Sequence, residues 1–391
     1  MLQPIESSKI MLSADCCLCV GFGMGSIQAD AVGVVLGLRL GSFDYLKKNN
    51  DFEVIVARLA SSINRQGIPT IAADVCFDAK YDQASSVSVF TLSICLEGED
   101  VSKREIPHCV RDDKHAHPAV SADILWHPLA DEKSISHSYF LEYFDKQVQG
   151  RMLLEAGVAD ASVLQFDDAN LLAVSLKQLI LTKHENIEQA IHCLQKQVTQ
   201  SVVAVGAAPL GIVYHLSSRT PEKYQAYLQA LNVPIIASFI DGTDDALTIV
   251  SLGQLCRATD VTTRDFKRAE TTIILIDISH SLLPKQLILS AHVVGDAGVL
   301  MALTEMCFKN MLGVNVTIPP EKLLSEVGSL ILEVANDKLK DIRQLFADHQ
   351  LTFLQLGRTT KTPLIQINKE IQLSLQAVKE SWQQGLQARV I

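Results

Sequence analysis

"SAHVVGDAGVLMALTEM" (residues 290–306) sets a histidine, an aspartate and several small residues directly before a strongly apolar stretch. Val299, Leu300, Ala302, Leu303, Met306 and Cys307 recur at helical spacing and form one stripe for a core to bury. Gly295, Asp296, Ala297 and Gly298 fall where the first turn of that helix begins. Two readings fit this start. A side chain there caps free amides, or the positive helix end receives an anion.

Downstream, "SLILEVA" (329–335) reads as a buried strand, and Asn336 or Asp337 as the cap of a helix through "KLKDIRQLFADHQ". "LTFLQLG" is the next strand, closed by Gly357, and "PLIQI" and "IQLSL" flank the turn "NKE" as a hairpin. A last helix carries Trp382. This order points to a ferredoxin-like or related α+β layer.

Upstream, the chain repeats itself. "AVG" at 31–33 is answered by "AVG" at 204–206, and "GIPTIAA" (67–73) by "NVPIIAS" (232–238). "VFTLSICLEGEDVSKRE" from Val89 matches "IVSLGQLCRATDVTTRD" from Ile249, and "DANLLAVSLKQLI" from Asp168 matches "DAGVLMALTEMCF" from Asp296. The order is the same in both halves, as a tandem duplication requires. Residues 51–65 read as a helix stopped by "RQG" and Pro69, and 68–76 and 86–97 as strands.

Composition bounds the class. The chain has 391 residues, 48% hydrophobic and 20% charged, which suits a globular protein with a sizeable core. A net charge of −10 argues against a broad nucleic-acid surface. No apolar run is long enough to span a bilayer, and the N-terminus lacks the basic start of a signal peptide. Nine scattered cysteines, an odd number, fit a reducing cytoplasm.

"AHVVGDAGVLMALTEMCFKNMLGVNVTI" and "EVGSLILEVANDKLKDIRQLFADHQLTFLQLG" resemble the C-terminal domain of the aminoimidazole-ribotide-synthetase-like superfamily (PurM-like), and within it phosphoribosylformylglycinamidine synthase. "GIPTIAADVCFD" (67–78) is similar to that family's G-I-P-x-x-G-G-E-x-x-F-D segment, and "INKEIQLSLQAVKESWQQ" to its closing hairpin and helix. The resemblance implies an α+β fold: a tandem repeat of a strand-rich N-module, pairing into a pseudo-symmetric barrel, and a ferredoxin-like α/β C-module. The expected boundaries are a first N-module over 1–106, a shortened first C-module over 107–198, a second N-module over 199–279 and a second C-module over 280–391. It also implies ATP and magnesium bound between modules, an amide oxygen phosphorylated and then displaced by ammonia, and acidic residues holding the metal against phosphates.

Carried over position by position, the family's G-H-D-x-S-D-G-G-L falls on Ala291 to Val299. His292, Asp296 and Gly298 persist, while Val293 replaces a metal-binding aspartate and Gly295 a serine. Ala72 and Ala73 stand for two glycines and Asp74 for a glutamate. The lysine of the family's G-K-D-S segment is absent from "IIASFIDGTDD", nothing resembles the histidine-bearing catalytic segment before Gly67, and no glutaminase domain is recognisable. Asp168 persists in the first copy. The resemblance therefore implies a catalytic role for His292, cofactor contacts from Asp296, Gly298 and Asp168, and magnesium on Asp74 and Asp296.

Other signals are weaker. His108, Cys109, His115, His117 and His127 cluster in an irregular stretch that reads as a solvated loop sooner than a metal site. "CCLC" (16–19) lacks a second cysteine pair, and "GFGMGS" (21–26) lacks the Lys-Ser/Thr of a phosphate loop. "IDGTDD" (240–245) reads as an acidic turn.

Three functions follow as expectations. The first is a degenerate or regulatory relative, keeping the fold and a nucleotide or phosphoribosyl pocket and binding a protein partner. The second is an active ATP-dependent ligase of purine synthesis built on Asp74, Asp168, His292 and Asp296. The third is a subunit completed by a separate glutaminase. The tandem repeat lets the two N-modules pair within one chain, so a monomer is expected, without nucleic-acid or membrane partners.

Overall fold

The computed structural model describes residues 9–16, 30–49, 51–95 and 142–390, apart from 66, 83–84, 96–100, 148, 156, 167–170, 242–243, 279–282 and 284–285. The chain begins with β1 (Lys9–Cys16), β2 (Asp30–Leu40), α1 (Phe43–Asn49), α2 (Asp51–Asn64), β3 (Thr70–Phe77) and β4 (Ser86–Cys95). These strands form a sheet in the order β1-β4-β2-β3, with β2 and β3 parallel. β2 is buried from Val34 to Leu40, which explains its nearly continuous apolar run. Phe52, Val56, Ala60 and Ile63, at helical spacing on α2, cover one face of the sheet.

Next come β5 (Met152–Leu154), β6 (Ser162–Gln165), β7 (Leu171–Ile180), α3 (Ile187–Ala204), β8 (Ala208–Ser217), α4 (Glu222–Gln229), β9 (Ile235–Asp241) and β10 (Ala246–Leu255). Their sheet runs β5-β6-β7-β10-β8-β9. Its last four strands repeat the order of the first sheet, with β7, β8, β9 and β10 in the places of β1, β2, β3 and β4. Two of the sequence matches, those from Gly67 and from Val89, fall on this correspondence. The AVG match does not, because 31–33 lies in β2 and 204–206 at the C-terminal end of α3. Nor does the match from Asp168: Asp168 itself lies outside the described residues, the apolar run after it is strand β7, and its supposed counterpart after Asp296 is a helix. A short apolar run fits either element, and ten antiparallel partners on β10 make this one a strand.

The expected first C-module over 107–198 is also corrected. Residues 97–141 lie outside the described residues, and β5, β6 and β7 belong to the sheet of β8–β10. The two sheets face each other across a shared core of Val35, Ile71, Phe90 and Leu92 against Leu172, Val174, Val213, Val250 and Leu252. β3 lies beside β7, and β1 beside β9. Buried Arg39 of β2 donates to Ser88 of β4 at 2.8 Å and across to Thr248 of β10 at 2.9 Å.

The remainder comprises β11 (Thr272–Ile276), β12 (Ile288–Val293), α5 (Gly298–Cys307), β13 (Gly313–Val316), β14 (Leu330–Val334), α6 (Leu339–Asp348), β15 (Phe353–Thr360), β16 (Leu364–Ile367), β17 (Ile371–Ser374) and α7 (Leu375–Val390). Their sheet runs β12-β14-β11-β15-β13-β16-β17. β11 thus sits between β14 and β15, which departs from the strand order of a ferredoxin-like layer. It also moves the module boundary expected at 279 to a point before Thr272. All five β11 residues are buried, as a central strand covered on both faces must be. The β16–β17 hairpin is present, whereas β15 runs on through Gly357. A Cβ there would meet the Asn315 carbonyl at 2.1 Å, so the glycine admits a neighbouring strand instead of ending its own. α6 starts after a short turn at 336–338, with no side-chain cap from Asn336 or Asp337.

α3 joins the second sheet to this last module. Its Val203 and Ala204 enter the core of β11, β12 and β14, Lys196 pairs with Asp277 at 2.8 Å, and Gln200 donates to the Ile278 carbonyl. Among the described residues no helix is long and apolar enough to cross a membrane.

Candidate functional site

A cavity of about 410 Å³ opens where β3, β7, α3 and the last module meet. Asp74, His292, Asp296 and Gly298 all line it, although two stretches far apart in sequence, β3 and the segment 292–298, supply them. Asp168 lies outside the described residues. The cavity also gathers Asp160, Lys177, Arg264 and Glu305, which the sequence reading did not single out.

His292, at the end of β12, is held on both ring nitrogens. Nδ1 lies 2.6 Å from Asp160 Oδ1, and Nε2 lies 2.9 Å from Glu305 Oε2 on α5. Asp160, in the β5–β6 connection, also accepts from the Val293 amide at 2.8 Å. Burial pulls the imidazole toward neutrality, but the charge and hydrogen bond of Asp160, then those of Glu305, outweigh it and push its pKa up to about 9. Burial likewise raises Glu305, and the His292 bond and the Arg264 charge reverse this to leave it below its usual value. Arg264 stands 3.8 Å from Glu305, so two carboxylates and two cations close one buried chain across the module boundary. Both carboxylates favour the protonated ring, which donates from both nitrogens and in that form has no lone pair with which to act as a base.

Asp74 and Asp296 are engaged in hydrogen bonds of their own. Asp74 Oδ2 accepts from the Gln178 amide at 3.0 Å, and Gln178 Nε2 returns to the Asp74 carbonyl at 2.9 Å, stitching β3 to β7. Asp296 Oδ1 accepts from Gln197 Nε2 of α3 at 2.8 Å. Magnesium favours near-octahedral oxygen ligands. Here Val293 is buried among Ile288 and Leu330, and no group of three His, Cys, Asp or Glu side chains converges in metal range among the described residues. Asp74 and Asp296 are the carboxylates left in the cavity at the positions the resemblance assigns to the metal.

The start of α5 is sterically closed on one side. Gly298 has φ +79°, and a Cβ on it would lie 2.5 Å from Leu324 Cα. The Leu300 amide donates to the Leu323 carbonyl at 3.1 Å, so backbone supplies a cap that no side chain provides. Gly295, by contrast, faces open space.

A second cavity of about 470 Å³ adjoins the first, sharing Gln197 and Asp296. Cys76 lines it, with a thiol pushed up to about 12 by burial and by Asp74, so it stays protonated and unreactive.

Two omissions carried a sequence signal. Glu305 is the one carboxylate on an otherwise apolar helix, and Lys177 the one charge in "LLAVSLKQLI". The match of that segment to the stretch after Asp296 gave its lysine no significance. Asp160 had no such signal, because only the fold brings it to His292.

Residues 246–369 match the model of the AIR synthase related protein, C-terminal domain. The phosphoribosylformylglycinamidine synthase subunit PurL of Thermococcus sibiricus is 22% identical over 324 residues, covering 65% of this chain and 45% of that protein. The chain spans 34–45% of the length of three such curated PurL relatives. Among solved structures, Thermotoga maritima PurL complexed with ADP aligns with TM-score 0.54 and 15% identity, covering 66% of this chain and 52% of that one. PurLQS from the same organism aligns with TM-score 0.55 and 10% identity, covering 85% and 84%. At these identities the structures speak for the fold.

Proposed function

We propose that this chain, a relative of phosphoribosylformylglycinamidine synthase with an AIR-synthase-related C-terminal domain, has given up the amide-ligase reaction. It acts as a regulatory scaffold that receives a phosphate-bearing ligand between its modules. The observation that carries this reading is His292. The one histidine retained from the family motif is sealed between Asp160 and Glu305, where it fastens the modules together and has no lone pair to offer a substrate. The loss of the motif's first aspartate to Val293 points the same way.

The architecture in this reading is a pseudo-twofold barrel of two N-modules, β1–β4 and β7–β10, followed by one C-module from Thr272 onward. The internal pairing leaves no call for a second copy of the chain. The ligand class rests on the Lys177 ammonium and the open turn at Gly295 beside the start of α5. A nucleotide such as ADP suits a cavity of about 410 Å³ with an adjoining chamber of about 470 Å³.

The test is turnover of formylglycinamide ribotide with ATP, magnesium and ammonia, followed by phosphate release. No rate above the protein-free background is expected. A rate abolished by Asp296→Ala would refute the scaffold reading. The curated relatives named as subunits favour a second reading, in which a separate glutaminase completes the enzyme. Stable co-purification with a glutaminase, together with glutamine-dependent turnover, would establish it.

A further inference from the structure

The start of α5 accounts for one end of a ligand, and the far end of the same helix has a wall of its own. Gly298, Met301, Ala302 and Glu305 line the cavity at helical spacing, so one face of α5 runs along it from the open turn at Gly295. Where that face ends, α7 crosses. Lys379 of α7 donates to the Phe308 carbonyl at 2.8 Å, and the Trp382 indole packs on the Phe308 ring with centroids 5.0 Å apart. Trp382 and Gln383 then enter the cavity wall. The indole is only partly buried, and among the described residues it is the one Phe, Tyr or Trp ring in that wall. α7 also lies beside α1, so its position is fixed from two sides. A helix rises about 1.5 Å per residue, which sets Phe308 about 15 Å beyond Gly298. An extended nucleoside diphosphate covers such a span; pyrophosphate and a sugar monophosphate fall short of it.

We propose that Trp382 determines which phosphate-bearing ligand the cavity accepts: its indole stacks on an aromatic ring at the end of the ligand remote from the phosphate, so nucleotides are taken in preference to inorganic and sugar phosphates. This rests on the phosphate-ligand reading above and adds the chemistry of the other end. Stacking tolerates any nucleobase, because each has a π-face. Met301 and Ala302 supply an apolar floor between the two ends. Phe308 and Lys379 hold α7 and its indole in place before a ligand arrives, so little side-chain freedom is lost on binding. A tryptophan that served packing alone would not distinguish a ligand with a ring from one without.

Calorimetric titration of the full chain with ADP, pyrophosphate and ribose 5-phosphate tests this, the last two keeping a phosphate end without an aromatic ring. Wild type is expected to bind ADP most tightly. Trp382→Leu should weaken ADP at least ~5-fold and leave the other two unchanged, and Trp382→Phe should recover most of the loss. A second measurement keeps the native ring and stands should Trp382→Leu fold poorly. The sequence holds two tryptophans, so Trp126→Phe leaves Trp382 as the one indole emitter. Saturating ADP should quench its fluorescence, and saturating pyrophosphate should not. The proposal is overturned if Trp382→Leu weakens all three ligands by one factor, if it leaves ADP affinity unchanged, or if bound ADP leaves the emission as it was. Binding of pyrophosphate or ribose 5-phosphate without ADP overturns this inference alone. Absence of binding by all three overturns the ligand reading beneath it and the inference with it.

Discussion

Asp160→Ala cuts the clasp at its N-module end, and the structure sets the size of the effect. Asp160 is 7% exposed and His292 8%, so solvent screens their attraction little. The substitution removes two charge-assisted hydrogen bonds, at 2.6 Å to the imidazole and 2.8 Å from the Val293 amide, and leaves the buried imidazolium to Glu305 alone. Breaking a buried pair in this way costs about 3–5 kcal/mol. The raised imidazole pKa, to which Asp160 and Glu305 both contribute, gives a second figure. Raising the imidazole pKa from 6.5 to about 9 corresponds to about 3 kcal/mol of preference for the protonated form in the folded chain. Because the folded value lies above the unfolded one, this stabilisation is complete below pH 6.5, declines as pH rises, and is gone above about 9. Urea unfolding followed by circular dichroism at a series of pH values measures both quantities. Wild type should lose stability between pH 6.5 and 9, and the isosteric Asp160→Asn should flatten that slope. A double-mutant cycle with His292→Ala should return a coupling of at least about 1.5 kcal/mol. An Asp160→Ala cost below about 1 kcal/mol, additive with His292→Ala, would refute the clasp.

Two further substitutions probe how the last module is built. Gly298→Ala places a Cβ 2.5 Å from Leu324 Cα at a positive φ, and should cost about 2–4 kcal/mol in the same unfolding assay; a neutral result would mean the 323–324 segment does not rest on α5. Buried Glu333 accepts from the amides of Lys267 and Arg268 at 2.7 and 3.0 Å, and from the Thr271 and Ser290 hydroxyls. Glu333→Gln turns an NH₂ toward one of those amides and should cost about 2–3 kcal/mol, with faster amide exchange at 267–268; unchanged exchange would contradict that role.

Much of the last module could be read in advance because its signals are local. The stripe from Val299 to Cys307, the hairpin turn at 368–370 and the run "SLILEVA" each occupy a few residues whose period and turn chemistry mark the element. The glutamate in that last run gave no hint of its four partners. The two segments framing it, 267–271 and Ser290, lie 43–66 residues away in sequence. The repeat was legible where strand met strand, as in "GIPTIAA" and "NVPIIAS", and misleading at "DANLLAVSLKQLI" and "DAGVLMALTEMCF". There similar apolar composition conceals a strand and a helix.

Taken alone, the amino-acid order determined the kinds of element in the last module, the presence of a duplicated strand unit, and the identity of the worn motif around His292. Tertiary structure alone decided that β5–β7 join the second sheet, that β11 enters the centre of the third, and that His292 lies between Asp160 and Glu305. Periodicity reports on neighbours a few residues apart. The protonation of a buried imidazole depends on carboxylates 13 and 132 residues distant, and nothing short of folding brings them within 3 Å of it.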